Sequence, residues 1–330
     1  MSDTKAPPAQ GSVDKKPNLI LSFFTRMFRG SGKKRRGPWW KPGLPTLIAF
    51  AVLATGVTVR VWDPDPVQTI RLRTFDMYNV VKPRVPLDPS PVIIVDIDEK
   101  SLAEVGQWPW PRTQVARLLT ALRDYGIAVV GFDIVFAELD RTSPDLLAKS
   151  REDLPASVRD SLAQTPANES IMAEAMKTVR TVLGQASTQS TQALAPSDFA
   201  YSTSFKGALG TKDVPDPNDE LFKRAVRFPT LVYNRPELEQ FASGLGVFSI
   251  GEEVDGVVRR VPLVVHISDV IKPALSTEMI RVGFAGNSIF AFLTVGGISE
   301  VRLQTPRGNF PIPTDSKGQI WVYFAKPDSF

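Results

Sequence analysis

The sequence predicts a mixed α/β domain carried behind a single membrane-crossing helix, and three observations predict it. An uncharged apolar stretch, Leu44 to Val59, follows a cluster of four basic residues. Between residues 92 and 184, short β-branched runs alternate with segments of helical periodicity, the pattern of βαβ units. The C-terminal third consists of separated β segments joined by glycine turns. Together these give one mixed sheet with covering helices, and three regions: a basic tail over 1–42, a transmembrane helix over 43–62 and a folded domain over 63–330.

At 330 residues the chain can bury a real core without staples. Its 43% hydrophobic and 22% charged residues exclude a wholly disordered protein. The net charge of +4 is unevenly spread, because the first 42 residues hold 10 Lys or Arg against 2 Asp. The remainder is acidic, which argues against a nucleic-acid partner for the domain. With no cysteine there is no disulfide, thiolate nucleophile or cysteine metal site. The single histidine, His266, sits in the run VPLVVHIS and reads as a strand residue, with no second histidine to complete a zinc site.

Gly43 to Trp62 is long enough, at about 1.5 Å per residue, to cross a hydrocarbon layer of about 30 Å. Arg60, near its far end, can snorkel to the interface. Lys33-Lys34-Arg35-Arg36 and the Trp39-Trp40 pair precede it, so the positive-inside rule keeps the tail cytoplasmic and exports everything after Trp62. The basic cluster lacks the glycine spacing of a phosphate-binding loop and is better explained by topology and by attraction to anionic lipid. Residues 1–18 read as disordered, and Leu19 to Phe28 as a short amphipathic helix on the inner leaflet.

Pro66 to Tyr78 reads as a helix leaving the bilayer, followed by a proline-rich link over 83–91. Val92 to Ile97, VIIVDI, reads as a parallel strand buried on both faces. Ser101 to Val105 reads as a short helix with a Ser101/Glu104 capping box. The stiff turn GQWPWPR, 106–112, leads into a helix over 113–125 with Val115, Leu118, Leu119 and Leu122 on one face. A strand over 127–132 then completes a right-handed βαβ unit. Residues 138–168 form an excursion holding a helix or two; a helix over 169–179, a strand from Thr181 and a loop over 187–204 follow. The remaining predicted elements are strands over 231–233, 245–250, 257–268, 301–304 and 320–324, with a helix over 276–284.

The acids Asp96, Asp98, Glu99, Asp133, Glu138 and Asp140 converge if strands 92–97 and 128–132 are neighbours, since ligands of open α/β sheets bind beyond strand C-termini. Such a cluster would attract Ca²⁺ or Mg²⁺, or share a proton and report pH; Asp98 and Asp133 would then suit a metal-dependent periplasmic hydrolase. Helix caps, turn bonds and ion pairs account for the same residues without a ligand. Arg112 is expected to bridge to one of these acids and clamp the turn, with Trp108 and Trp110 as apolar pegs or as a stacking surface for a signal molecule. Asp255-Gly256 reads as a tight turn into an edge strand carrying Arg259, Arg260 and Pro262, the arginines pairing internally or meeting a partner or lipid.

Taken in order, VIIVDIDEKSL at 92–102, GQWPWPR at 106–112, VVGFDIVFAELD at 129–140, DGVVRRVPL at 255–263 and IPTDSKGQIWVYF at 312–324 resemble the second type of CHASE domain, the cyclase/histidine-kinase-associated extracellular sensory family. The resemblance covers about residues 65 to 330. It implies a bacterial periplasmic sensing module that binds an extracellular or periplasmic ligand and continues beyond Phe330. The implied output is a class III adenylate/guanylate cyclase requiring Mg²⁺ or Mn²⁺; a histidine kinase, serine/threonine kinase or diguanylate cyclase is the alternative. It also implies a homodimer in the inner membrane, and no catalytic residue or cofactor within this chain. A membrane scaffold is a further reading of the same residues.

Overall fold

The computed structural model describes residues 43–188, 208–212, 223–251, 253, 255–267 and 270–326. The basic tail, with its amphipathic segment, lies outside them, as does most of the predicted 187–204 loop. The chain divides into two units at the Pro64/Asp65 boundary.

In the first unit, helix α1 (Leu44–Trp62) has 19 residues, no buried side chain and the length and apolarity to cross a membrane. Pro45 occupies its first turn, where a missing N–H costs nothing. The hydroxyls of Thr55 and Thr58 donate to the carbonyls of Ala51 and Ala54 at 2.8 Å, so these two polar groups are satisfied within the helix, as hydrocarbon requires. Asp63 ends it in the left-handed conformation, φ 44°.

The second unit begins with α2 (Asp65–Val81), longer than the predicted 66–78. It is followed by α3 (Glu99–Val105) and α4 (Arg112–Asp124). Strand β1 (Val130–Phe132), helices α5 (Pro144–Ser150), α6 (Ala156–Gln164) and α7 (Asn168–Thr178), and strand β2 (Thr181–Thr188) complete the N-terminal half. The periodic helices come out as expected because their stripes are buried. Val115, Ala116 and Leu119 of α4 meet Met172, Ala173 and Met176 of α7 in one cluster with Phe132, Phe136 and Leu183.

Strand β2 is the axis of this half. It pairs in parallel with β1 on one side and with β6 (Gly244–Val247) on the other, while its distal end pairs antiparallel with β5 (Thr230–Val232). Helix α8 (Pro236–Glu239) joins β5 to β6. A Cβ on Gly184 of β2 would collide with the Phe132 carbonyl and the Phe248 ring, so the close approach of β1 to β2 requires glycine there.

The expected single mixed sheet is not what forms; the strands divide among several small sheets. Strands β3 (Ala208–Lys212), β10 (Ser288–Thr294), β11 (Gly297–Thr305) and β12 (Gly308–Pro313) make a second sheet in the order β12-β11-β10-β3. Strands β4 (Val226–Phe228), β8 (Val264–Ile267) and β9 (Val270–Pro273) make a third. Strand β7 (Arg260–Pro262) pairs only with β13 (Gln319–Trp321) among the described residues, which agrees with the edge position Pro262 implies. Helix α9 (Leu275–Gly283) packs over β6 and β2. Gly256 and Gly318, both at positive φ, turn the chain between sheets, whereas Gly297 and Gly308, also at positive φ, close hairpins within the second one.

Val92 to Ile97 also departs from expectation. The run has no ladder partner, Val92, Ile93, Ile94 and Val95 are exposed, and β1 pairs with β2 alone among the described residues. Its β-branched composition favours extended backbone but supplies no pairing partner. The cap of α3 moves as well: Asp98, not Ser101, is the N-cap, accepting from the Ser101 N–H at 2.8 Å. His266 is buried in β8, as its run suggested.

Candidate functional site

The six acids predicted to converge do not. Asp96, Asp98, Glu99, Asp133 and Glu138 are exposed, and among the described residues no group of three or more His, Asp or Glu is placed to hold a metal. Their expected meeting depended on pairing of 92–97 with β1, which does not form. Asp98 serves α3 instead, its pKa lowered by the Ser101 side-chain and main-chain bonds. Glu138 forms an exposed ion pair with Arg141 at 3.4 Å.

Asp140 alone is buried, at the centre of a polar network behind the aromatic turn. Its Oδ2 accepts from the Arg112 main-chain N–H (2.7 Å) and Asn168 Nδ2 (2.8 Å), and its Oδ1 accepts from the Thr142 N–H (2.8 Å) and Oγ1 (2.7 Å). Burial pushes its pKa up, but these bonds outweigh it and hold the carboxyl below its ordinary value. Glu169 Oε1 accepts from the Asp140 N–H at 2.6 Å, so the network fastens the starts of α4 and α7 to the segment after β1.

Among the described residues the expected bidentate bridge of Arg112 does not form. Its guanidinium is buried, donating to the Glu138 carbonyl at 3.2 Å and lying 4.6 Å from the centre of the Phe136 ring, while Nε has no acceptor among the described residues. Burial lowers its pKa, opposed by Asp140, Glu169 and Glu138. Trp108 and Trp110 are half-buried and meet edge to face at 5.7 Å; Trp110 Nε1 donates to the Gly106 carbonyl at 2.6 Å. That geometry makes them pegs of the turn. A shallow groove of about 730 Å³ between α4 and α7, lined by Thr113, Arg117, Thr120 and Glu174 among others, touches none of the predicted site residues.

The second cluster centres on Arg259, whose side chain is 2% exposed. Nε and Nη2 donate to the two oxygens of Asp76 in α2, both at 2.7 Å. Nη1 and Nη2 donate to the two oxygens of Asp255 at 2.8 and 2.7 Å, and Nη1 also reaches the Val257 carbonyl at 3.5 Å. All five N–H donors are thereby used, two carboxylates being held by one planar fork. Bonding to Arg259 lowers the pKa of Asp76 and takes that of Asp255 down to about 2, and the two acids raise that of Arg259.

Around this clamp, Phe75 of α2 lies 4.6 Å from Trp321 and 5.6 Å from Tyr323. Arg260 sits over Trp321 at 5.2 Å and grips both oxygens of Glu253 at 2.7 Å. Just beyond α2, the Arg84 N–H donates to the Phe324 carbonyl at 3.0 Å and Arg84 bridges Ala325 in parallel. The arginine pair is thus internal, one of the readings its sequence allowed. Asp76 was missed, because nothing in its spacing separates it from other acids on a charged helix.

Sequence reasoning also missed a buried polar group at the end of β2. Glu239 Oε1 accepts from the Asn234 N–H (3.0 Å) and Gln185 Nε2 (3.2 Å), while Lys272 Nζ donates to Gln185 Oε1 at 3.3 Å. Burial lowers the Lys272 pKa, with Glu239 opposing. Asn234 also donates to the Gly184 carbonyl and accepts from the Phe136 N–H, so the group ties β2 to α8 and to the segment after β1.

No curated protein and no solved structure matches the chain. The model of the CHASE2 domain matches residues 47–330, most of α1 and the whole of the second unit. The chain therefore belongs to the CHASE2 domain family, the extracellular sensory domains of signalling receptors.

Proposed function

We propose that this chain is the sensory and signal-transducing region of a bacterial transmembrane receptor. In this reading α1 crosses the inner membrane, residues 1–42 stay in the cytoplasm and everything after Trp62 lies in the periplasm. Its output is a class III adenylate/guanylate cyclase encoded outside this chain, which would use Mg²⁺ or Mn²⁺. The signal is an extracellular or periplasmic ligand.

The observation that carries the reading is the Arg259 clamp. Helix α2 starts at Asp65, three positions after the last residue of α1, and Asp76 ties it to the segment leading into β7. Separating the enclosed arginine from Asp76 leaves a buried charge short of a partner, so α2 moves with the body of the domain rather than sliding past it. A ligand that favours one arrangement of the body then biases the helix that continues toward the membrane, provided it binds the two arrangements with different affinity.

Two measurements test this. A periplasm-dependent reporter fused after Arg84 should be active and one fused after Lys41 silent; the reverse pattern overturns the orientation. Expressed with the sequence that follows Phe330 in its gene, the receptor should make cyclic nucleotide, at a level that changes when Asp76→Asn loosens the clamp. Phosphotransfer in place of cyclisation would assign a kinase output, and neither activity would leave a scaffold.

A further inference from the structure

Helix α2 has two usable faces, and among the described residues its own domain covers only one. Leu72 is 2% exposed, and Gln68, Phe75, Asp76 and Asn79 are half-buried beside it. On the opposite side Val67, Ile70, Thr74, Met77 and Val81 succeed one another at intervals of three, four, three and four residues, the a and d positions of two heptads. Ile70 is 67% exposed, Met77 58% and Val81 75%. Leu72 and Asn79 fall on the f positions, directly behind this stripe, so the helix presents it outward while anchored from the back.

We propose that the stripe is a seam at which α2 pairs in parallel with α2 of a second copy of this chain. Three features select that occupant. Thr74, the polar residue at the central a position, donates to the Ile70 carbonyl at 2.7 Å, so it enters an apolar seam already satisfied. Arg73 and Tyr78 occupy g and e positions flanking the seam. Parallel heptads set them against each other across the pair, a cation beside an aromatic face, whereas antiparallel pairing matches arginine with arginine.

The third feature is size. Four apolar side chains over two heptads bury on the order of 400 Å² per copy, below the roughly 1,200 Å² total of a free-standing interface. The seam therefore suits partners already held side by side. Two chains anchored through α1 in one membrane meet that condition, because tethering raises their effective concentration and gives both helices the same direction. The proposal rests to this extent on the membrane reading above.

The chain contains no cysteine, so single cysteines report cleanly. In membranes of cells expressing the full chain, Ile70→Cys and Met77→Cys should form disulfide-linked dimers under mild oxidation. The rate should be roughly tenfold higher than for Val80→Cys on the flank of α2 or Val158→Cys on α6. Adding Met77→Lys to the Ile70→Cys chain should abolish the cross-link while leaving the amount of membrane-bound protein unchanged.

Equal cross-linking at all four positions, or cross-linking that survives Met77→Lys, overturns the seam. So does protection of Ile70→Cys from a charged maleimide without cross-linking, which would put lipid or a different protein there. Recovery of the chain in the soluble fraction overturns the membrane reading and the tethered pair together. Membrane-bound chain without seam preference overturns the pair alone.

Discussion

Arg259 and Asp76 are 183 positions apart in sequence, yet two parallel N–H···O bonds of 2.7 Å join them. The guanidinium is almost wholly enclosed while the Asp76 side chain keeps 41% of its exposure. The arginine is thus the component that cannot be left without its partners. Its carboxylate partners can rehydrate if it goes; it cannot if they go.

Arg259→Ala should lower unfolding stability by about 1–3 kcal/mol through lost stem packing and charge-assisted bonds, read from denaturant titration. Arg259→Lys should recover little of this, because an ammonium cannot hold two carboxylates in parallel forks. A double-mutant cycle with Asp76→Ala should show coupling between the two positions; simple additivity would mean the pair carries no energy.

The clamp sets an acid limit. Asp255, held down to about 2, and Asp76, also lowered, both have folded pKa values below those of the unfolded chain. Their contribution is complete above the unfolded carboxylate range, near pH 4, and is lost as pH falls through the folded values. The stability gap between the native chain and Asp255→Asn should therefore be constant from pH 7 to about 5 and close toward pH 2. A gap that widens on acidification would contradict the assignment.

The acid candidates should separate sharply on substitution. Asp140→Ala removes an acceptor serving four donors in a buried network and should cost about 3 kcal/mol. Asp133→Ala, at an exposed position, should stay within about 0.5 kcal/mol. Thermal unfolding of the two variants side by side distinguishes them, and equal losses would restore a shared role.

Two glycines make a matched pair. A Cβ at Gly184 meets the Phe132 main chain and the Phe248 ring, so Gly184→Ala should cost about 1–3 kcal/mol. At Gly131 the three atoms nearest the added Cβ all belong to the flexible side chain of Met279, which can rotate away, so Gly131→Ala should cost less. Comparison of their denaturation midpoints checks the order.

Elements whose evidence is local were legible in the sequence. Helix α1 needs only length and apolarity, and α4 and α7 carry their buried stripes at helical spacing. Strand β10 was overlooked although Ile289 and Ala291 alternate into the core, a period-two signal in the run SIFAFLT. Strand β12 gave no such signal, having two prolines and no buried residue. Val92 to Ile97 shows the opposite failure: a strong extended propensity cannot specify a partner, and pairing is decided elsewhere in the chain. The same holds for the site. Asp255 and Arg259 are four residues apart and could be suspected together, whereas Asp76 becomes visible only once the fold closes a distance no spacing rule spans.

The bridge between Arg84 and Ala325 closes the second unit on itself, setting an early and a late segment of the chain side by side. Because the two segments run in the same direction, the chain before Arg84 and the chain after Ala325 leave the bridge toward opposite sides, and a host receiving residues 84–325 would need attachment points on both.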